Sequence, residues 1–213
     1  NKLSKAFING EIKVIEPWVW GGHFINFLNA VINHDSIYSN NKLKEAIDTW
    51  YDPKKTVVPF KVGSYNKTLA QYESFSSTEH DIKTAILASA SIPVVFPEIK
   101  IGNCSYQDGG MRHMIPVPEI KDWIQRTKGK KHIDILVCFP IHKPDLFTKM
   151  SVPVMHFPII DEATRMVSDL MLEQLQNDLL EIAKISKLPL KTIIEKPYGR
   201  FTTGDITIQI LSP

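Results

Sequence analysis

The sequence predicts an α/β layered fold, and three segments support this class. Residues 133–139 (IDILVCF) form an apolar, β-branched run that is typical of a buried parallel strand. Residues 161–186 follow with the apolar spacing of a long helix, for which Asp161 is the predicted N-cap. Residues 206–211 (ITIQIL) give a final strand. Strands separated by helical patterns favour an α/β domain over an all-β one.

Composition predicts one globular domain over residues 1–213. The chain has 43% apolar and 23% charged residues, and its formal net charge of +2 predicts no nucleic-acid partner. The most apolar stretch, residues 85–97, is shorter than the roughly 20 residues of a membrane-spanning helix. The two cysteines, Cys104 and Cys138, form no metal-binding pair and no disulfide framework, which is typical of a reducing compartment. We therefore expect a cytoplasmic location.

The first half of the chain alternates between helical and strand-like segments. Helical spacing covers residues 21–49 and is interrupted at residues 35–41. Residues 56–64 predict a strand at a sheet edge or with a bulge, because Pro59 cannot donate a backbone hydrogen bond. Residues 70–75 predict its hairpin or neighbouring strand.

A helix is expected next, from Thr78 to about Ser91. It must end there because Pro93 disfavours helical backbone at the residue before it. Two short strands are then predicted on either side of a Gly102-Asn103 turn.

Several kinds of active site are absent from the sequence. No two of the ten glycines stand four residues apart, so these residues contain no G-x-S-x-G nucleophile motif. The phosphate-binding glycine motifs are also missing. The seven histidines never stand three or four apart, so no helical zinc pair is present. We expect neither a cofactor nor a metal.

The most informative segment runs from residue 88 to residue 117. Small residues at positions 88–91 allow close packing, and two prolines then impose an extended path. A short strand is expected to deliver Asp108 to a turn formed by Gly109 and Gly110, which permit positive φ and close backbone approach. A carboxylate in this position is held on a rigid scaffold and stays accessible. By itself, Asp-Gly-Gly is more often a simple turn than part of a site.

The order of these motifs resembles the patatin-like phospholipase family. The shared features are an A-S-x-x-I-P-x-x-F-P block, a Y-x-D-G-G motif and a following Pro-Val pair, and the resemblance is specific over residues 56–140. It implies a three-layer α/β/α domain with a mostly parallel central sheet. It also implies that Asp108 is the catalytic aspartate of a Ser–Asp dyad, with Gly109 and Gly110 completing the motif. Many members carry Asn six residues after the aspartate, where this chain has Met114.

The family's glycine-rich loop and nucleophilic serine are not in this sequence. The resemblance places them upstream of Asn1, and the sequence begins without an initiator Met. We therefore expect the 213 residues to be the C-terminal portion of the catalytic domain, incomplete at its N-terminus and inactive alone. The missing N-terminal segment, with the serine, is an expected partner.

The resemblance also implies a mechanism and a binding pocket. The serine would attack the ester carbonyl of a lipid or phospholipid while Asp108 accepts or orients its proton. An aspartate is a weak base unless partial desolvation raises its pKa. Apolar residues around the motif are candidates for the walls of this acyl-chain pocket, with core packing as the alternative for each: Ile92, Val94, Val95, Phe96, Met111 and Ile115. His113 is either a third catalytic residue or an ordinary, partly exposed histidine.

A transient membrane surface is a further expected partner. Trp18, Trp20 and the apolar stripe of Phe24, Phe27 and Leu28 form either an interfacial face or a buried helix face. Residues 128–131 are either a solvated basic loop or a site for anionic headgroups. The location would then be cytoplasmic and peripheral at membranes.

Three functions follow from these expectations. The first is a lipid acyl hydrolase of patatin type. The second is a non-catalytic lipid-binding or interaction module that kept the scaffold and lost the nucleophile. The third is an unrelated α/β protein in which Asp-Gly-Gly is fortuitous.

Overall fold

The computed structural model describes residues 16–17, 36, 38–137, 158–188 and 199–211. The chain divides into two compact units. The first unit comprises Asn1–Arg112 and Val154–Thr164, and the second comprises His113–Pro153 and Arg165–Pro213. The single domain expected over residues 1–213 stays a prediction.

The first unit contains six strands and two helices within the described residues: β1 (Glu16–Pro17), β2 (Tyr38–Ser39), α1 (Asn41–Trp50), β3 (Lys61–Asn66), β4 (Gln71–Ser76), α2 (Ile82–Ser89), β5 (Ile99–Ile101) and β6 (Cys104–Asp108). The elements that follow are α3 (Val117–Arg126), β7 (Lys131–Leu136), α4 (Pro158–Ile185), β8 (Gly199–Thr203) and β9 (Ile206–Leu211). These belong to the second unit, except that α4 joins it only from Arg165 onward.

The main sheet of the first unit has four strands in the order β4-β3-β6-β5, and every neighbouring pair is antiparallel. Both predicted hairpins are confirmed, and Gly102 has the positive φ of 59° that its turn requires. The strand predicted over residues 56–64 is shifted, since β3 begins at Lys61. Residues 56–60 instead form a loop, because Pro59 has no N–H for the ladder.

The sheet of the second unit has three strands in the order β7-β9-β8. β7 and β9 are parallel, as expected for the first of these strands, and the predicted strand over residues 206–211 is confirmed. The sequence predicted a buried strand, but more and less exposed residues alternate along β7, so only one of its faces is covered. Residues 138–139 of that prediction lie outside the described residues. β7–β9 is the one parallel pair among the described strands, and a mostly parallel central sheet therefore stays a prediction.

The helices predicted within the described residues are present, but their first and last residues differ from the prediction. α1 carries the predicted stripe of residues 43–47, and α2 ends at Ser89, close to the expected stop. The N-cap assigned to Asp161 is wrong because α4 already begins at Pro158, a residue that suits the first turn of a helix. α3 and β8 were not predicted. The expected apolar face with Trp18, Trp20, Phe24, Phe27 and Leu28 lies outside the described residues.

The second unit has a continuous apolar core. It is formed by one face of α4, the inner face of the sheet, the start of α3 and the segment before it. Its buried members are Ile115, Val117, Ile135, Val137, Leu175, Leu179, Ile182, Ala183, Leu188, Ile208 and Ile210. In the part of the chain that the structure describes, no helix is both long and apolar enough to cross a bilayer.

Candidate active site

Asp108 is the last residue of β6 and is fixed through its backbone. Its N–H donates to the carbonyl oxygen of Ser91, just beyond α2, at 2.9 Å. In the sheet it is paired with Ser64 of β3. The expectation that a short strand delivers Asp108 to a turn is therefore confirmed.

The two glycines after Asp108 have a different role from the predicted one. Gly109–Met111 form a 3-10 turn, and Asp108 caps it by accepting the Gly110 N–H at 2.7 Å. Neither glycine has a positive φ, so that part of the prediction is wrong. The expected close approach is present, because a Cβ on Gly109 would lie 2.4 Å from the carbonyl oxygen of Gly63. Glycine is needed here for contact with β3.

Burial changes the acidity of the Asp108 carboxyl. Desolvation raises its pKa from 3.8 to about 6, and the hydrogen bond from Gly110 opposes this rise only in part. A carboxylate with a pKa near 6 is ionised at neutral pH and is a stronger base than an ordinary aspartate. The arrangement can therefore accept a proton from a neighbouring hydroxyl.

Ser64 is a second polar group at this position, and sequence reasoning missed it. Directly paired residues of antiparallel strands lie on the same face of the sheet, which places the Ser64 side chain beside Asp108. The Ser64 hydroxyl is fully buried and makes no hydrogen bond within the described residues. A small polar residue in a strand carries no local signal for this, because only the pairing of β3 with β6 brings the two residues together.

The tyrosine of the Y-x-D-G-G motif anchors β6 two residues before Asp108. The Tyr106 hydroxyl donates to a Glu73 carboxylate oxygen at 2.7 Å, and the Asn66 side-chain amide donates to the same hydroxyl at 3.2 Å. Burial and the Glu73 carboxylate both raise the Tyr106 pKa. Burial also acts to raise the Glu73 pKa, but hydrogen bonds from Gln71, Tyr106 and Asn66 leave that pKa lowered. This network joins β3, β4 and β6 next to the catalytic candidate.

The residues predicted to line an acyl pocket are distributed over both units. In the first unit, Val95 and Phe96 are buried, and Ile92, Val94 and Met111 are partly buried. In the second unit, Ile115 belongs to the apolar core. The acyl-pocket role of all six residues stays a prediction.

His113 is bound to a carboxylate that the sequence analysis missed. Its Nδ1 lies 2.7 Å from Oδ1 of Asp178 on α4. The other oxygen of Asp178 accepts the Ile115 N–H at 2.9 Å. Burial raises the Asp178 pKa, while the hydrogen bonds from Ile115, His113 and Met114 oppose the rise. This pair fixes the chain that follows the motif, and a catalytic role for His113 stays a prediction.

No group of three or more potential metal ligands occurs among the residues described by the structure. Cys104 is a free, partly buried thiol, and Cys138 lies outside the described residues.

Comparison with models of known protein families gives a match. A family model described as patatin-like phospholipase matches residues 2–120, which is more than half of the chain and includes Asp108. The match extends further toward the N-terminus than the resemblance over residues 56–140 and ends earlier. No curated protein matches the chain significantly.

Proposed function

Because this chain belongs to the patatin-like phospholipase family, we propose that it is part of a lipid acyl hydrolase. In this proposal Asp108 is the carboxylate of a Ser–Asp dyad, and the serine comes from polypeptide preceding Asn1. The complete domain would be a three-layer α/β/α structure with a mostly parallel central sheet. Its substrate would be a lipid or phospholipid that it meets by transient contact with a membrane surface in the cytoplasm.

The environment of Asp108 is the observation that supports this function best. Among the described residues, the carboxylate accepts a single hydrogen bond, at Oδ1. In this proposal the other oxygen, Oδ2, accepts the proton of the serine hydroxyl. Burial has raised the pKa to about 6, which suits a base that works at neutral pH without a histidine.

The proposed reaction has two steps. In the first, the serine oxygen attacks the ester carbonyl as its proton passes to Asp108, and the alcohol leaves with that proton, giving an acyl-serine. In the second, water attacks the acyl-serine and its proton passes to Asp108. The fatty acid then leaves as the serine oxygen recovers the proton. Asp108 is ionised at the start and the end of each step.

The proposed mechanism fixes the sign of the pH dependence. Asp108 must be ionised to accept a proton, so hydrolysis should fall as the pH drops through about 6. With an ordinary aspartate the fall would come about two pH units lower.

A second candidate is a non-catalytic lipid-binding module. The observation in its favour is that the 213 residues contain no G-x-S-x-G motif. The coding sequence upstream of Asn1 separates the two candidates, because the hydrolase needs a glycine-rich loop and that motif there. Their absence would support the binding module.

The decisive experiment is ester hydrolysis by the protein that includes the upstream polypeptide. Asp108→Asn keeps the size of the side chain and an acceptor for the Gly110 N–H but removes the base, and should lower kcat by about 10³-fold. Asp205→Asn makes the same chemical change at an exposed turn and should leave kcat unchanged. Retained activity in Asp108→Asn would remove Asp108 from the mechanism.

A further inference from the structure

Two adjacent valines of the first unit point into solvent. Val57 is 91% exposed and Val58 is 72% exposed, in the loop between the 3-10 turn Pro53–Lys55 and β3. We call residues 56–60 the valine loop. Single exposed apolar residues are common on protein surfaces, but two consecutive valines with this exposure at the tip of one loop are not explained by packing.

The base of the valine loop is firmly held. The Phe60 N–H donates to the Ser77 hydroxyl at 3.2 Å, and the Ser77 N–H donates to the Phe60 carbonyl oxygen at 2.9 Å. The Phe60 ring packs edge-on against Tyr51 with ring centroids 5.7 Å apart. The Thr56 hydroxyl donates to the Tyr51 hydroxyl at 3.3 Å. The two valines are thus presented by a loop whose ends are both fixed.

Basic residues flank the valine loop on both sides. Lys54 and Lys55 precede it and Lys61 follows it, whereas Asp52 is the single acidic residue between positions 50 and 62. The Asp52 carboxylate is itself engaged, because it accepts the Lys54 N–H at 3.0 Å and lies 3.4 Å from the Lys55 ammonium. Trp50, 42% exposed, stands at the end of α1 just before this segment.

This combination suits the surface of an anionic bilayer. Lysines are attracted to negatively charged headgroups, apolar tips enter the acyl boundary, and tryptophan favours the interface between them. We propose that the valine loop, with Lys54, Lys55 and Lys61, is a membrane-contact site for anionic phospholipid. The proposal rests on the proposed function for its choice of a lipid partner, and it names the surface that meets the lipid.

Sedimentation with phospholipid vesicles tests the site without measuring catalysis. Wild-type protein should bind vesicles that contain phosphatidylserine more tightly than vesicles of phosphatidylcholine alone. The double variant Val57→Asp with Val58→Asp should bind the anionic vesicles at least about 10-fold more weakly, since charge replaces the inserting groups. Both side chains are exposed, so the melting temperature should not change.

A matched control and a charge variant sharpen the test. Leu69→Asp adds a charge at another exposed apolar residue of the first unit, in the β3–β4 turn, and should leave vesicle binding unchanged. Replacing Lys54, Lys55 and Lys61 by Gln should weaken binding to the anionic vesicles about 10-fold or more and remove most of their advantage over neutral ones.

Two outcomes would overturn the site. One is a wild-type protein that does not sediment with anionic vesicles, and the other is equal binding by wild type and the double valine variant. Failure of the proposed function would be seen in the hydrolysis assay and not in vesicle binding. Asp108→Asn should still bind vesicles. Conversely, the valine variant should still hydrolyse a soluble short-chain ester if the catalytic proposal holds.

Discussion

Asp108 is a partly buried carboxylate of the first unit, and Asp178 is a buried carboxylate of the second unit. Their surroundings differ. Asp178 is only 2% exposed, and its oxygens accept hydrogen bonds from His113 and from the backbone of Ile115. Within the described chain, Asp108 accepts one hydrogen bond, from the backbone of Gly110. Burial raises the pKa of both groups.

This difference distinguishes a carboxylate with a structural role from one that is suited to a reaction. A buried carboxylate whose oxygens are occupied by donors holds its neighbours in place, and removing it leaves those donors unsatisfied. A carboxylate with a raised pKa and an unoccupied oxygen is costly for the fold, and such groups are found at functional sites. We therefore interpret Asp178 as an anchor for residues 113–115, whereas Asp108 stays the proposed reactive group.

The largest stability effect is expected at the anchor. Asp178→Ala should lower the free energy of unfolding by about 3 kcal/mol, because the Ile115 N–H and the His113 ring lose a buried acceptor. Asp169→Ala, at an exposed position of the same helix, should change it by less than about 0.5 kcal/mol. Chemical denaturation measures the free energy of unfolding of both variants. Equal effects of Asp178→Ala and Asp169→Ala would contradict the anchoring role of Asp178.

Asp108, the proposed reactive carboxylate, should behave in the opposite way. Asp108→Asn should raise the free energy of unfolding by about 2–3 kcal/mol above pH 6, because the ionised carboxylate is then buried in the folded wild type but solvated in the unfolded chain. A raised carboxyl pKa favours the folded state at low pH. The wild type therefore has this contribution in full below its unfolded pKa of 3.8, and loses it as the pH rises to about 6.

Denaturation of both proteins over this pH range gives the check. The difference between Asp108→Asn and wild type should be near zero below pH 3.8 and should grow until about pH 6. A difference that is independent of pH would mean that the charge of Asp108 is not the cause.

The contact that seats Asp108 can be tested through its glycines. Gly109→Ala should destabilise the protein by about 2 kcal/mol, because the new Cβ would meet the backbone oxygen of Gly63 at 2.4 Å. At Gly63 the new Cβ would instead meet the end of the Tyr72 side chain, which can rotate away, so Gly63→Ala should cost less. Thermal denaturation ranks the two, and the reverse order would contradict the close approach of Gly109 to β3.

The smallest effect is expected at the hydroxyl beside Asp108. Ser64→Ala removes a buried hydroxyl that lacks a partner in the described structure and should raise the free energy of unfolding by about 1 kcal/mol. Ser91→Ala removes an equally buried hydroxyl that donates to the Leu87 carbonyl oxygen at 2.8 Å, and should lower it by a similar amount. A loss of stability in Ser64→Ala would show that its hydroxyl is paired in solution.

Local sequence signals were sufficient to predict some helices and strands and not others. The β5–β6 hairpin followed from the Gly102-Asn103 turn, and the end of α2 followed from Pro93, because both depend on the backbone preferences of adjacent residues. The unpredicted β8 is part of a hairpin whose turn includes Gly204, with a φ of 57°, so a turn signal was present and overlooked. The start of β3 differs from the prediction because the β-branched residues 56–58 favour a strand, whereas Pro59 has no N–H for the ladder.

By itself, the sequence determined the family and the candidate aspartate, since a motif of contiguous residues carries both. Only the tertiary structure decided which groups surround that aspartate. Ser64 reaches Asp108 through strand pairing across 44 positions, and Asp178 reaches His113 across 65. The physical reason is that burial depends on how strands and helices that are distant in sequence pack together, and this burial raises the pKa of both carboxyls.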